Sequence, residues 1–163
     1  MIASILLLSF VTLQRLGELW LARRNTRRLL ATGAYEVGAG HYPLIVLLHA
    51  AWLLGLWWLA WDDPIRQLWL GAYALLQALR GWILGSLGER WTTRIIVLPG
   101  APLVRRGPYR WLPHPNYMLV VAEIAVLPMV FGLGWYALVF SLLNAAVLTV
   151  RIRAEARALA PQR

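Results

Sequence analysis

Three long apolar runs, residues 2–22, 42–61 and 65–87, constrain this chain more than any other feature. At a helical rise of 1.5 Å per residue, each reaches about 30 Å, the thickness of a bilayer's hydrocarbon core. Backbone inside that core finds no water, so its N–H and C=O groups must be satisfied within the segment. Helices achieve this; isolated strands and open loops do not. The expected fold class is all-α, a polytopic membrane protein forming one domain over residues 1–163. Composition agrees: the chain is 60% hydrophobic and 14% charged, against roughly 25% charged for a soluble domain. Ten tryptophans and six tyrosines suit two membrane interfaces.

Two further apolar arms, 118–131 and 135–150, flank a bend marked by Pro128, Gly132 and Gly134. Each is about 20–24 Å long at helical rise, short for a full crossing. The pattern predicts a tight, short helical hairpin as the last two of about five transmembrane helices. Residues 1–87 supply the first three. Loop charge sets the orientation. Arg23, Arg24, Arg27 and Arg28 follow the first run. Arg90, Arg94, Arg105, Arg106 and Arg110 precede the hairpin, and Arg153, Arg157 and Arg163 follow it. Asp62 and Asp63 mark an opposite turn. By the positive-inside rule the N-terminus is expected outside and the C-terminus in the cytoplasm.

The net charge is +9, and all 16 basic residues are arginine. They sit in loops beside apolar runs, so topology and anionic headgroups account for them, and the expected partners are membrane lipids rather than nucleic acid. There is no cysteine, which excludes thiolate metal sites, cysteine nucleophiles and disulfides. No GxGxxG or P-loop pattern supports a Rossmann-type nucleotide site. The first run has no basic leader and no clear cleavage site, and reads as a retained helix.

Polar, proline-broken sequence among such runs marks candidate chemistry. Gly107-Pro108 is a turn signal, and Pro113 and Pro115 disfavour helix just before themselves. His114, Asn116 and Tyr117 therefore sit on a constrained corner leading into an apolar helix. If that helix begins near Asn116, its side chain can cap the free N–H groups. The corner is equally explained as a polar interfacial turn anchored by Tyr117. Arg151 and Glu155 are four apart and share a helix face. They read either as an ordinary ion pair ending a helix or as groups lining a cavity.

Other ionisable residues stand deeper. Arg15 and Glu18, three apart on the first helix, can pair. Glu123 lies in the hairpin, where an unpaired carboxylate is costly, and needs a partner: His114, Arg80 or a tail arginine. His49 reads as an interhelical hydrogen-bonder. Glu36, His41 and Tyr42 lead into the second helix. None of these has the H-E-x-x-H or H-x-x-x-H spacing of a metal site, and no metal is expected.

These residues also carry a resemblance. Leu103-Val104-x-x-Gly107-Pro108-Tyr109 followed by His114-Pro115-Asn116-Tyr117 resembles the signature turn and His-Pro corner of the isoprenylcysteine carboxyl methyltransferase family. Arg151-x-x-x-Glu155 resembles its C-terminal R-x-x-x-E element. The resemblance covers about residues 90–160 and makes 88–163 the catalytic core. Arg15-x-x-Glu18, Arg24-Asn25, the 33–43 segment and Arg94-Ile95-Ile96-Val97-x-Pro99-Gly100 resemble a bacterial branch associated with type III polyketide synthases.

The resemblance implies a membrane-embedded methyltransferase using S-adenosyl-L-methionine, in a bacterial inner membrane. It implies a lipophilic acceptor: an alkylpyrone, a phenolic lipid or an isoprenylcysteine-type carboxylate. Ala101, Pro102, Leu103, Val104, Tyr109, His114, Pro115, Asn116, Tyr117 and Glu155 would contact the cofactor, Arg94 would add a further contact, and Arg151 would orient the acceptor oxygen. Two positions depart from the family pattern. Pro113 stands where the family usually has Arg, and Ala156 where a second acidic residue often follows. They keep one rival open, a non-catalytic lipid-binding or scaffold protein; a second, a phospholipid N-methyltransferase, rests on related folds.

Overall fold

A computed structural model describes residues 1–159; Arg163 lies outside them. Five helices dominate: α1 (Ile2–Ala31), α2 (Tyr42–Ala60), α3 (Gln67–Leu87), α4 (Pro115–Val130) and α5 (Gly134–Leu159). Three are long and apolar enough to cross a membrane, namely α1, the Ala39–Ala60 stretch containing α2, and Gly134–Glu155 of α5. The 21 residues of α3 are as long, but they include Gln67, Gln77 and Arg80. Many large apolar side chains, including Leu13, Trp58, Leu75 and Leu142, face outward, as a lipid-facing surface requires.

The core lies where the helices converge. Leu8 and Val11 of α1, Trp52 and Leu56 of α2, Tyr73 of α3 and Ile124 and Leu127 of α4 form one buried cluster. Ala22, Ile83, Trp91 and Leu119 form a second. At one end the turns meet: Ser4 Oγ donates to Asp63 O at 2.5 Å, and Arg66 N donates to Val130 O at 2.8 Å. At the other end lie the loops before α2 and α4 and the last turns of α5. There β1 (Tyr35–Val37) pairs antiparallel with β2 (Ile95–Val97). Asn25 Nδ2 donates to Gly88 O and Trp91 O, at 3.1 and 3.0 Å.

Two helices run further than their apolar stretches. The first continues to Ala31 and the last to Leu159. The final hairpin is thus asymmetric: α4 has 16 residues, while α5 has 26 and is long and apolar enough for a full crossing. The short-hairpin expectation holds for α4 alone. The reason is physical: arginine is a good helix former, so Arg23–Arg28 and Arg151–Arg157 end the apolar stretch without ending the helix.

One close approach fixes α2 against α5. A Cβ on Gly55 would lie 2.1 Å from Tyr136 Oη, which donates to Trp52 O at 2.8 Å. Gly55→Ala is expected to cost about 1–3 kcal/mol through overpacking. Thermal unfolding in detergent reads this directly, and an unchanged midpoint would contradict the packing.

Candidate active site

The corner after β2 is built by steric necessity. Gly107 has φ +56°, and a Cβ there would meet Ser86 Oγ at 1.9 Å, so only glycine fits against α3. Arg106 Nε donates to Ser86 O at 2.6 Å beside it. Pro115 then takes the first position of α4, where its missing N–H is no loss. This corrects the expected cap. His114 is the capping residue and makes no side-chain cap bond. Asn116 sits inside the helix, its Oδ1 buried with no hydrogen-bond partner among the described residues.

Arg151 and Glu155 do not form the direct i,i+4 pair; Tyr117 stands between them. Arg151 Nε donates to Tyr117 Oη at 3.0 Å, and Tyr117 donates to Glu155 Oε2 in a short bond. Arg151 Nη1 donates to Thr93 O at 2.8 Å. The His114 ring stacks on Tyr117 at 5.2 Å between centroids, with its Nδ1 3.9 Å from Glu155 Oε2. Nearby, Arg94 Nη1 bonds Glu36 at 2.8 Å and its guanidinium lies 4.6 Å over the Tyr42 ring. The bond to Glu36 pushes the Arg94 pKa upward. Tyr42 Oη and Thr93 Oγ1 lie 3.0 Å apart. Burial, with Glu155 close by, likewise raises the Tyr109 pKa.

Two chambers meet at this chain of bonds. The first, about 360 Å³, includes in its wall Ala101, Leu103, Val104, Tyr109, His114 and Glu155, with Arg94 at its rim. Of the residues read from sequence, Pro102 and Pro115 lie outside this wall: Pro102 O accepts from Arg90 Nη1, and Pro115 is buried in α4. The second chamber, about 300 Å³, is mostly apolar and lies among α1, α2, α4 and α5. Its walls are helix stripes at i, i+3, i+4, i+7 spacing: Tyr42, Ile45, Val46 and His49 on α2, and Asn144, Val147, Leu148 and Arg151 on α5. Leu16 of α1 and Val46 of α2 line it and are also exposed, so it opens sideways between those helices. Asn116, Tyr117, Arg151, Trp91 and Thr92 belong to both chambers.

Beneath lies a buried charged layer. Arg80 Nη1 bonds Glu18 Oε2 at 2.8 Å, its Nε bonds Glu123 Oε1 at 2.7 Å, and its Nη2 makes a short pair with Glu123 Oε2. Arg15 joins Glu18 at 3.1 Å and Glu123 at 2.7 Å. Gln77 Nε2 donates to Glu123 Oε1 at 2.9 Å. The partners of Glu123 are therefore Arg80 and Arg15, not His114 or the tail. His49 bonds the Ile45 carbonyl of its own helix at 2.9 Å rather than a neighbouring helix. Sequence reading missed Thr93, which belongs to no motif, and Asn144, whose signal was a lone amide in an apolar arm.

The sequence profile of the isoprenylcysteine carboxyl methyltransferase (ICMT) family matches residues 69–161. The uncharacterized protein YpbQ of Bacillus subtilis (strain 168) is 40% identical over 159 residues, 94% of this chain and 95% of its own. An uncharacterized protein of Haemophilus influenzae is 26% identical over 151 residues, 89% of this chain and 88% of its own. No solved structure matches.

Proposed function

The chain belongs to the isoprenylcysteine carboxyl methyltransferase family, and from that premise we propose that it methylates an oxygen of a lipophilic acceptor using S-adenosylmethionine. Membership makes it an integral-membrane methyltransferase. One observation carries the finer reading: two chambers of different polarity share a wall made by Asn116, Tyr117 and Arg151. Group transfer between a water-soluble donor and a lipid needs such an arrangement, with both reactants held close and water kept out. Each volume lies within the usual range for small-molecule sites.

The first chamber's residues fit the cofactor. Asn116 Oδ1 is a buried acceptor without a partner, and Glu155 is an anion at the same wall. Such groups suit ammonium, hydroxyl and amino donors. Ile95, Val97 and Leu103 add an apolar surface for a flat base. When bound, the cofactor supplies an electrophilic methyl group on a sulfonium centre.

The chain's own residues do the rest. Tyr117 and the Thr93 carbonyl engage Nε and Nη1 of Arg151, which leaves Nη2 to orient the acceptor oxygen and hold its negative charge. The acceptor tail enters between α1 and α2, past Leu16 and Val46. The basic end of the bundle faces the cytoplasm of a bacterial cell, with the N-terminus outside. The branch-like N-terminal half favours an enolic or phenolic lipid over a prenylcysteine carboxylate.

Calorimetry of S-adenosylmethionine with the purified protein in detergent tests the reading. Saturable binding is expected, and Glu155→Ala should weaken it at least tenfold by removing the anion and freeing Tyr117. Folded wild-type protein without binding would return the chain to a scaffold or lipid-binding role.

A further inference from the structure

The floor of the second chamber holds polar atoms that the mechanism above does not use. Glu18 is 9% exposed, and its Oε2 takes both arginine bonds. Its Oε1 has no hydrogen-bond partner among the described residues. Asn144 Nδ2 and Trp52 Nε1 are likewise unpartnered, in side chains 3% and 1% exposed. All three residues line the chamber. His49 adds a fourth group. Its Nδ1 meets the Ile45 carbonyl, which only accepts, so Nδ1 donates and a neutral ring presents Nε2 as an acceptor. Each buried unsatisfied group costs free energy; among the described residues Gln14, Arg24, Asn25 and Tyr73 carry such atoms away from both chambers, whereas Glu18, Trp52 and Asn144 bring theirs to the wall of this one.

The depth of this floor follows from helix geometry. Asn144 and Arg151 are seven residues apart on one face of α5, and Tyr42 and His49 likewise on α2. Two helical turns set the floor about 10 Å below the Arg151 level, less the reach of the side chains. Donors (Asn144, Trp52) and acceptors (Glu18, His49) line this one chamber. A hydroxyl group can serve both kinds at once.

We propose that this floor binds a second hydroxyl of the acceptor, so the preferred substrate carries oxygens at opposite ends of a compact head group. The proposal rests on reading the second chamber as the acceptor's. A lipid with a single polar group would leave Glu18 Oε1 and the Asn144 amide unpaired, and would bind more weakly.

The test measures binding, which separates it from the fate of the methyl-transfer reading. The probes are 2-dodecylbenzene-1,4-diol and the 2- and 3-dodecylphenols that each retain one of its hydroxyls. Each is titrated into nanodisc-embedded protein, and Kd is taken from the shift in thermal unfolding midpoint. The diol is expected to bind at least about tenfold more tightly than either phenol. Asn144→Leu should shrink that ratio toward one, and Trp52→Phe should do the same if the first variant fails to fold. Equal affinities in wild type, no binding of any probe, or an unchanged ratio in the folded variants would each overturn the proposal. A preserved ratio without methyl transfer would retain the floor site and count against the enzymatic reading alone.

Discussion

Replacing Arg151 by alanine is expected to lower methyl-transfer turnover at least about 100-fold, the usual loss when one preorganised charge stabiliser is removed. Cofactor affinity should stay close to wild type. The residue stands in the wall common to both chambers, where Tyr117 Oη and Thr93 O fix its guanidinium. Arg151→Lys keeps the charge without the rigid fork, so it should restore only part of the rate. Single-turnover kinetics beside calorimetry separates the two effects. A variant that lost cofactor affinity and turned over normally once saturated would refute the assigned role.

The largest stability effect is expected at Glu123. Its carboxylate is 1% exposed and takes bonds from Arg80, Arg15 and Gln77. Glu123→Ala leaves Arg80, 2% exposed, sharing Glu18 with Arg15 inside an apolar bundle. Breaking one partner of a buried ionic network costs about 3–5 kcal/mol, visible as a large fall in unfolding midpoint in detergent. Replacing Glu123 and Arg80 together by apolar residues should recover part of the loss, because no uncompensated charge then remains on that side. An unfolding midpoint indistinguishable from wild type in Glu123→Ala would dismiss the layer as a stabilising element.

Much of the scaffold was legible because membrane solvent leaves few options. The runs at 2–22, 42–61 and 65–87 became α1, α2 and α3, and the break between α4 and α5 falls at 131–133, around Gly132, with the expected bend residue Pro128 inside the last turn of α4. The β1–β2 ribbon was not legible. Each strand has three residues, too few for an alternating pattern, and the pairing joins Val37 to Ile95 across the whole of α2 and α3. The spacing of Arg15 and Glu18 announced their contact, but Arg80 reaching both Glu18 and Glu123 depends on how three helices pack. The same limit applies at the site. The corner and the R-x-x-x-E element were visible as motifs, whereas Tyr117 between Arg151 and Glu155 is a tertiary fact.

That tyrosine has a thermodynamic consequence. Its hydroxyl holds one proton, now given to Glu155, while its oxygen accepts from Arg151. If a cation in the first chamber draws Glu155 away, the proton is free to turn toward the second chamber. The two ligand equilibria then become linked, and linkage is reciprocal: whatever factor one ligand imposes on the other's affinity is returned in full. Coupling between the two substrates would need no moving lid, only the turning of one hydroxyl.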